Sequence, residues 1–194
     1  MTVDIGEQGT TVAPKVTVVP ETFTLVDYEA PAIAQVVTEL RRQVGLPEDF
    51  AIRVEVDETT PLGRAHLSGV DPAVLVVESG ALEHLHRPRQ FDARRAADVF
   101  GRLLFRLRDR LDPAFGNPPE DEELLLPVSS AWDVYAVGRL DRRGYSGQRG
   151  RRHYQFRVRH GFSDRGDAVF DRLWTAEGLT WADIEEASAE ALCL

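Results

Sequence analysis

Residues 73–78, AVLVVE, constrain the chain most tightly, because five apolar residues run in succession before the first charge. A run that short and continuous belongs in the middle of a β-sheet. Strands must therefore flank it. Ile52, Val54 and Val56 alternate with Arg53, Glu55 and Asp57, the pattern of a half-buried strand. Residues 15–28, KVTVVPETFTLVDY, hold two short β-branched runs split by Pro20, which suits a sheet edge, since proline cannot donate to an interior ladder. Residues 64–68 read as a short strand paired with the preceding one.

Helices alternate with these strands. Pro31 opens one in which Ile33, Val36, Val37, Leu40 and Val44 recur at helical spacing, and Gly45 with Pro47 closes it. A second follows Asp92 as cap. Ala96, Phe100, Leu103, Leu104, Leu107 and Leu111 form its apolar stripe, and Arg94, Arg95, Asp98, Arg102 and Arg106 fall largely outside it. Beyond residue 128 the pattern is helical throughout. Ser129 or Ser130 is the expected cap of a helix ending near Gly144. Two more cover 151–160 and 163–174, and a capping box at Thr180 and Asp183 starts the last.

The expectation is an α+β fold. A small, mostly antiparallel sheet packs with helices in residues 15–112, and an acidic, proline-rich connection over 113–128 leads to a helical half, 129–194, that shares the core. Residues 1–14 read as a flexible tail. With 43% hydrophobic and 28% charged residues, the chain has enough apolar surface to order itself. No apolar run is long enough for a membrane span, and the start lacks a cationic segment followed by an apolar one. A cytoplasmic protein that does not engage a membrane is expected. Cys193 is the only cysteine, which excludes an intrachain disulfide and a cysteine zinc site. Lys15 is the only lysine; we attribute the arginine bias to a GC-rich, bacterial genome.

Catalytic motifs are missing. There is no Gly-x-Ser-x-Gly, and the glycine-rich 144–150 joins two helices rather than a strand to a helix. Glu83, His84 and His86 are the candidate metal ligands: the imidazoles flanking Leu85 would share a face of an extended segment, and the carboxylate is adjacent. As a polar surface loop the same residues need no metal, and no cofactor is expected. His153 and His160 share a helix face but lie among arginines that repel a cation. Trp132, Tyr135, Phe162, Phe170, Trp174 and Trp181 read as core aromatics.

The order of elements from Ala30 to Asp112 resembles in outline the small zincin-like metallopeptidase fold. That family's long helix carries His-Glu-x-x-His, two imidazoles for zinc and a glutamate to activate water. The corresponding segment here, FDARRAADVFGRLLFRLRDRL, has neither histidine nor glutamate. The resemblance therefore implies a fold whose catalytic site has been lost.

Charge is the strongest local signal. Between Arg139 and His160 eight arginines accompany one acid, Asp141, a formal +7 that leaves −16 on the rest of a chain totalling −9. Arg142, Arg143, Arg149, Arg151, Arg152, Tyr154, Arg157 and Arg159 are the candidate binding residues. The expected function is a non-catalytic one: an arginine-rich surface presented to an acidic protein or an anionic ligand. A metal-dependent hydrolase and a nucleic-acid-binding protein are the alternatives, the second disfavoured by net charge. Pairing of these arginines with acids of the same chain, such as Glu120, Asp121, Glu122 and Glu123, competes with all three.

Overall fold

A computed structural model describes residues 15–192. The reading of 1–14 as a tail, and Cys193, lie outside them. The elements run β1 (Val16–Val19), α1 (Ala30–Val44), β2 (Ile52–Asp57), β3 (Ala65–Val70), β4 (Ala73–Glu78), β5 (Glu83–His84), β6 (Arg87–Phe91), α2 (Ala93–Leu111), α3 (Leu126–Asp141), α4 (Arg149–His160), α5 (Asp164–Thr175) and α6 (Trp181–Leu192). The class is α+β.

The main sheet has the order β1-β2-β4-β3. β1 is an edge, and β4, the AVLVVE run, lies inside. The expectation of mostly antiparallel pairing is corrected here, because β1–β2 and β2–β4 are parallel. Only β3–β4 and the small β5–β6 hairpin run antiparallel. For β1–β2 the reason is α1, which carries the chain back to the same end of the sheet. β2 and β4 are parallel because β3, between them in sequence, runs the other way along the outer edge of β4. β3 likewise pairs with the strand after it, not the one before.

One face of this sheet is closed. Ile52, Val54, Leu75 and Val77 are buried against Ile33, Val37 and Leu40 of α1 and Phe100, Leu103 and Leu104 of α2. Val74 and Val76, on the other face, are only partly covered. Caps follow the sequence: Asp92 accepts from Arg94 and Arg95 backbone N–H groups, and Thr180 and Asp183 bond reciprocally.

α3 begins earlier than expected. Pro127 occupies its first turn, so Ser129 and Ser130 lie inside the helix and cap nothing. The buried apolar residues form two clusters, and α3 contributes to both. Ala136 and Leu140 join the sheet-side cluster. Trp132, Val134, Tyr135 and Val137 pack with Phe156, Phe170, Leu173, Trp174, Trp181 and Ile184 of α4, α5 and α6. The connection over 113–125 is anchored rather than loose. Phe115 stacks on Trp132 with ring centroids 5.5 Å apart, and its carbonyl accepts from Trp181 N–H at 2.6 Å.

Candidate functional site

The seam between α2 and α3 is ionic. Asp98, Arg102, Arg106 and Asp109 recur at helical spacing along one edge of α2; α3 covers the last three, and Gln148 and Arg152 at the start of α4 meet Asp98. Asp133 of α3 accepts from Arg102 and Arg106 at 3.0 and 3.1 Å. Burial alone would push its carboxyl up; the two guanidiniums beside it outweigh that and hold it below the usual carboxylate range. Asp121, from the acidic connection, accepts from Arg106 and Arg110, both at 2.8 Å, and from the Leu67 backbone N–H at 3.0 Å. The acidic loop thus neutralises arginines of α2, not those of residues 139–160.

The candidate binding arginines divide into three kinds. Arg142 donates to Glu177, Arg149 to Asp171, Arg152 to Asp98 and Arg157 to Asp167. These four already hold carboxylates of their own chain, as does Arg139, bound to Asp109. Hydrogen bonds from Arg157 take the Asp167 carboxyl down to about 2. Arg143 donates to the carbonyls of Gln43 and Arg139 and lies over the Phe105 ring. Arg151 and Arg159 have no carboxylate partner among the described residues. The uniform positive surface expected from sequence is reduced to these two ends of one helix face.

Between them the face is apolar. Tyr154 is 62% exposed, Val158 51% and Phe162, just beyond α4, 65%. The rings of Tyr154 and Phe162 meet edge to face at 6.1 Å. Beside them a groove of about 360 Å³ opens between α4 and the first turns of α3. Leu126, Val134, Tyr154 and Val158 supply its apolar wall, and Arg102, Arg152, Arg159 and Asp133 its charges.

The metal candidates do not converge. His84 sits on β5, its Nδ1 accepting from the His86 N–H at 3.1 Å, and Glu83 accepts from the backbone N–H of Arg89. His86 lies in the hairpin turn, so the extended segment expected to align the two imidazoles is broken there. Among the described residues no three histidine, cysteine or acidic side chains gather in metal-binding geometry. Five of the six aromatics named from sequence are buried in the second cluster; Phe162 is the exception.

One pairing has no signal in the sequence. The His160 ring stacks on Phe156 at 3.9 Å and lies 3.0 Å from Ser188 Oγ. A carbonyl can only accept, so Nδ1–H donates to Phe156 O at 3.1 Å and Nε2 takes the serine proton. A nucleophile and base would share this geometry. Here both residues are sealed, 5% and 1% exposed, and no carboxylate orients the ring. The pair is structural. Burial pushes the imidazole pKa down. The unfolded chain then protonates first on acidification, so this contribution is complete above the ordinary histidine value and is lost progressively as pH falls from about 6.5 down through the lower folded-state value. We expect the urea midpoint to drop between pH 8 and 5.5, and His160→Gln to flatten that slope. An equal slope in the variant would assign the effect elsewhere.

No family model, no curated protein and no solved structure matches this chain. None of these comparisons supports the expected likeness to zincin-like metallopeptidases.

Proposed function

We propose that this chain is a binding protein whose α4 face receives an acidic, apolar segment of a partner protein. The observation that carries the reading is the exposed row Tyr154, Val158 and Phe162, edged by Arg151 and Arg159 and adjoining the α3–α4 groove. Exposed apolar side chains gathered beside a concavity are what a docking surface requires, because their burial drives association while the rim charges select the partner. A groove of about 360 Å³ accepts one or two large side chains, in the manner of an amphipathic helix entering a cleft. Carboxylates flanking that anchor would meet Arg151 and Arg159, the two arginines of α4 that no acid among the described residues occupies.

The test is fluorescence anisotropy with a labelled amphipathic peptide of Glu, Leu and Phe, alongside its counterpart with Lys for Glu. Arg151→Glu combined with Arg159→Glu should weaken the acidic peptide by about tenfold or more, and Tyr154→Ala should weaken it comparably. Both sites are exposed, so folding is preserved. Equal affinity for the two peptides, or an unchanged affinity in the double reversal, would overturn the reading. A labelled RNA oligonucleotide that binds more tightly than the acidic peptide would overturn it in favour of nucleic acid.

A further inference from the structure

Adjoining the α3–α4 groove, and sharing Arg102, Arg152 and Gln155 with it, lies a second, smaller concavity of about 140 Å³. Its walls include Arg95 and Arg102 of α2, Arg151 and Arg152 of α4, and a single carboxylate, Asp98. Four guanidiniums around one acid leave an excess of positive charge at this pocket, even though Arg102 and Arg152 each meet a carboxylate. Two are held in place by neutral acceptors. Arg95 donates to the carbonyls of Glu83 and Gly80 at 2.7 and 3.4 Å, and Arg151 only to the Gln148 side chain at 3.4 Å. Arg102 donates to the Ala65 carbonyl at 3.0 Å, and the acid it meets, Asp133, is shared with Arg106. Backbone carbonyls fix a guanidinium's position but leave its charge uncompensated.

Two buried atoms of the same wall are also without partners: Nε of Arg152 and Oδ1 of Asp98, whose side chain is 7% exposed. One is a donor and the other an acceptor. Each costs free energy while it stays unmade. We propose that this pocket is a binding site for a tetrahedral oxyanion that still carries a proton near neutral pH, namely hydrogenphosphate. Its oxygens accept from the guanidiniums, and its P–OH donates to Asp98. Sulfate, fully deprotonated near neutral pH, offers no proton and sets its charge against the Asp98 carboxylate.

Titration calorimetry at pH 7.5 and constant ionic strength tests this with inorganic phosphate, sulfate and a simple alkyl phosphate. The wild-type chain should bind phosphate about tenfold or more tightly than sulfate, the worth of one charged hydrogen bond. Arg151→Ala, at an exposed position, should weaken phosphate about tenfold. Asp98→Asn, whose amide oxygen still accepts from Arg152, should erase most of the preference over sulfate. Arg172→Ala, which removes an exposed pair with Glu190, should change neither. The alkyl phosphate, whose second pKa is about 6 and which has therefore lost its P–OH at pH 7.5, should bind no better than sulfate; binding as strong as that of inorganic phosphate would overturn the proposal. Heats no larger than those of chloride, or equal affinities for phosphate and sulfate in the wild type, would overturn the proposal. No peptide enters this assay, so its outcome is independent of the partner reading.

Discussion

Asp109→Ala should cost about 3–5 kcal/mol, the largest loss expected from any single charge in the chain, because it strands a buried cation. Asp109 and Arg139 are 5% and 4% exposed. The two carboxylate oxygens accept from Nη1 and Nη2 of Arg139 at 2.7 and 2.6 Å, and Oδ2 also takes the Trp132 Nε1–H at 2.8 Å. Truncation leaves both Nη groups of the Arg139 guanidinium and an indole N–H without their carboxylate, with only Nε–H still donating to the Tyr135 carbonyl. The space is closed by Phe105 and Tyr135, whose rings lie 4.6 and 3.8 Å from the Arg139 Cζ. The rings soften the loss without replacing the carboxylate. The exposed Arg53–Glu55 pair offers a contrast, since Glu55→Ala there should cost below about 1 kcal/mol. Replacing both buried partners, Asp109→Leu with Arg139→Met, should recover most of the stability, because the penalty belongs to the orphaned charge and not to the absent bond. Urea midpoints of the three variants decide the matter. A loss below about 1 kcal/mol for Asp109→Ala would mean that water reaches the Arg139 head group.

That ionic seam also explains how far the sequence could be read. Hydrophobic periodicity found the cap of α2 and its apolar stripe from Ala96 to Leu107, while Leu111, expected in that stripe, is exposed. The same pattern placed Arg102 and Arg106 on the solvent side, yet they are 9% and 2% exposed, because α3 covers that edge too. A helix face buried through ion pairs has no hydropathy signal. α3 itself carried one: Ala131, Trp132, Val134, Tyr135, Ala136 and Val137 leave it no polar face, the mark of a helix enclosed on all sides. Strand direction was legible as well, in the helix separating residues 16–19 from 52–57, although apolar runs alone do not carry it.

The arginine segment shows the opposite limit. Its charge could be counted, but Arg142, Arg149 and Arg152 meet acids 35, 22 and 54 residues away. Pairing over such separations depends on how α4 lies across α2 and α5. Once those pairs form, what distinguishes Arg151 and Arg159 is position on the helix, three residues before Tyr154 and one after Val158. The two concavities beside α4 have the same origin. They are gaps between helices of unequal approach, and only the neighbours of each gap were visible in advance.

The distance of approach rests on one glycine. Gly138→Ala should destabilise the chain by about 3 kcal/mol even though alanine is the better helix former by about 1 kcal/mol. A Cβ at Gly138 would lie 2.1 Å from the Trp174 carbonyl oxygen and 2.8 Å from its carbon, both backbone atoms of α5. No rotamer change relieves such a contact. The helices must separate, and α3 and α5 are the walls of the second apolar cluster, where Val134, Tyr135 and Val137 meet Leu173 and Trp174. Arg142 donates to the same Trp174 carbonyl, so the tie next to α4 loosens with it. Gly101 provides the comparison. An added Cβ there meets the Leu140 methyl groups at 2.6 and 2.7 Å, the ends of a side chain that can turn aside. Gly101→Ala should therefore cost less, with propensity offsetting part of the strain. Chemical unfolding should rank the two variants in that order, and the near-ultraviolet circular dichroism of Trp174 should change in Gly138→Ala alone. Equal losses at the two glycines would show that α3 and α5 part easily, and the geometry of both grooves would then not be fixed by this crossing.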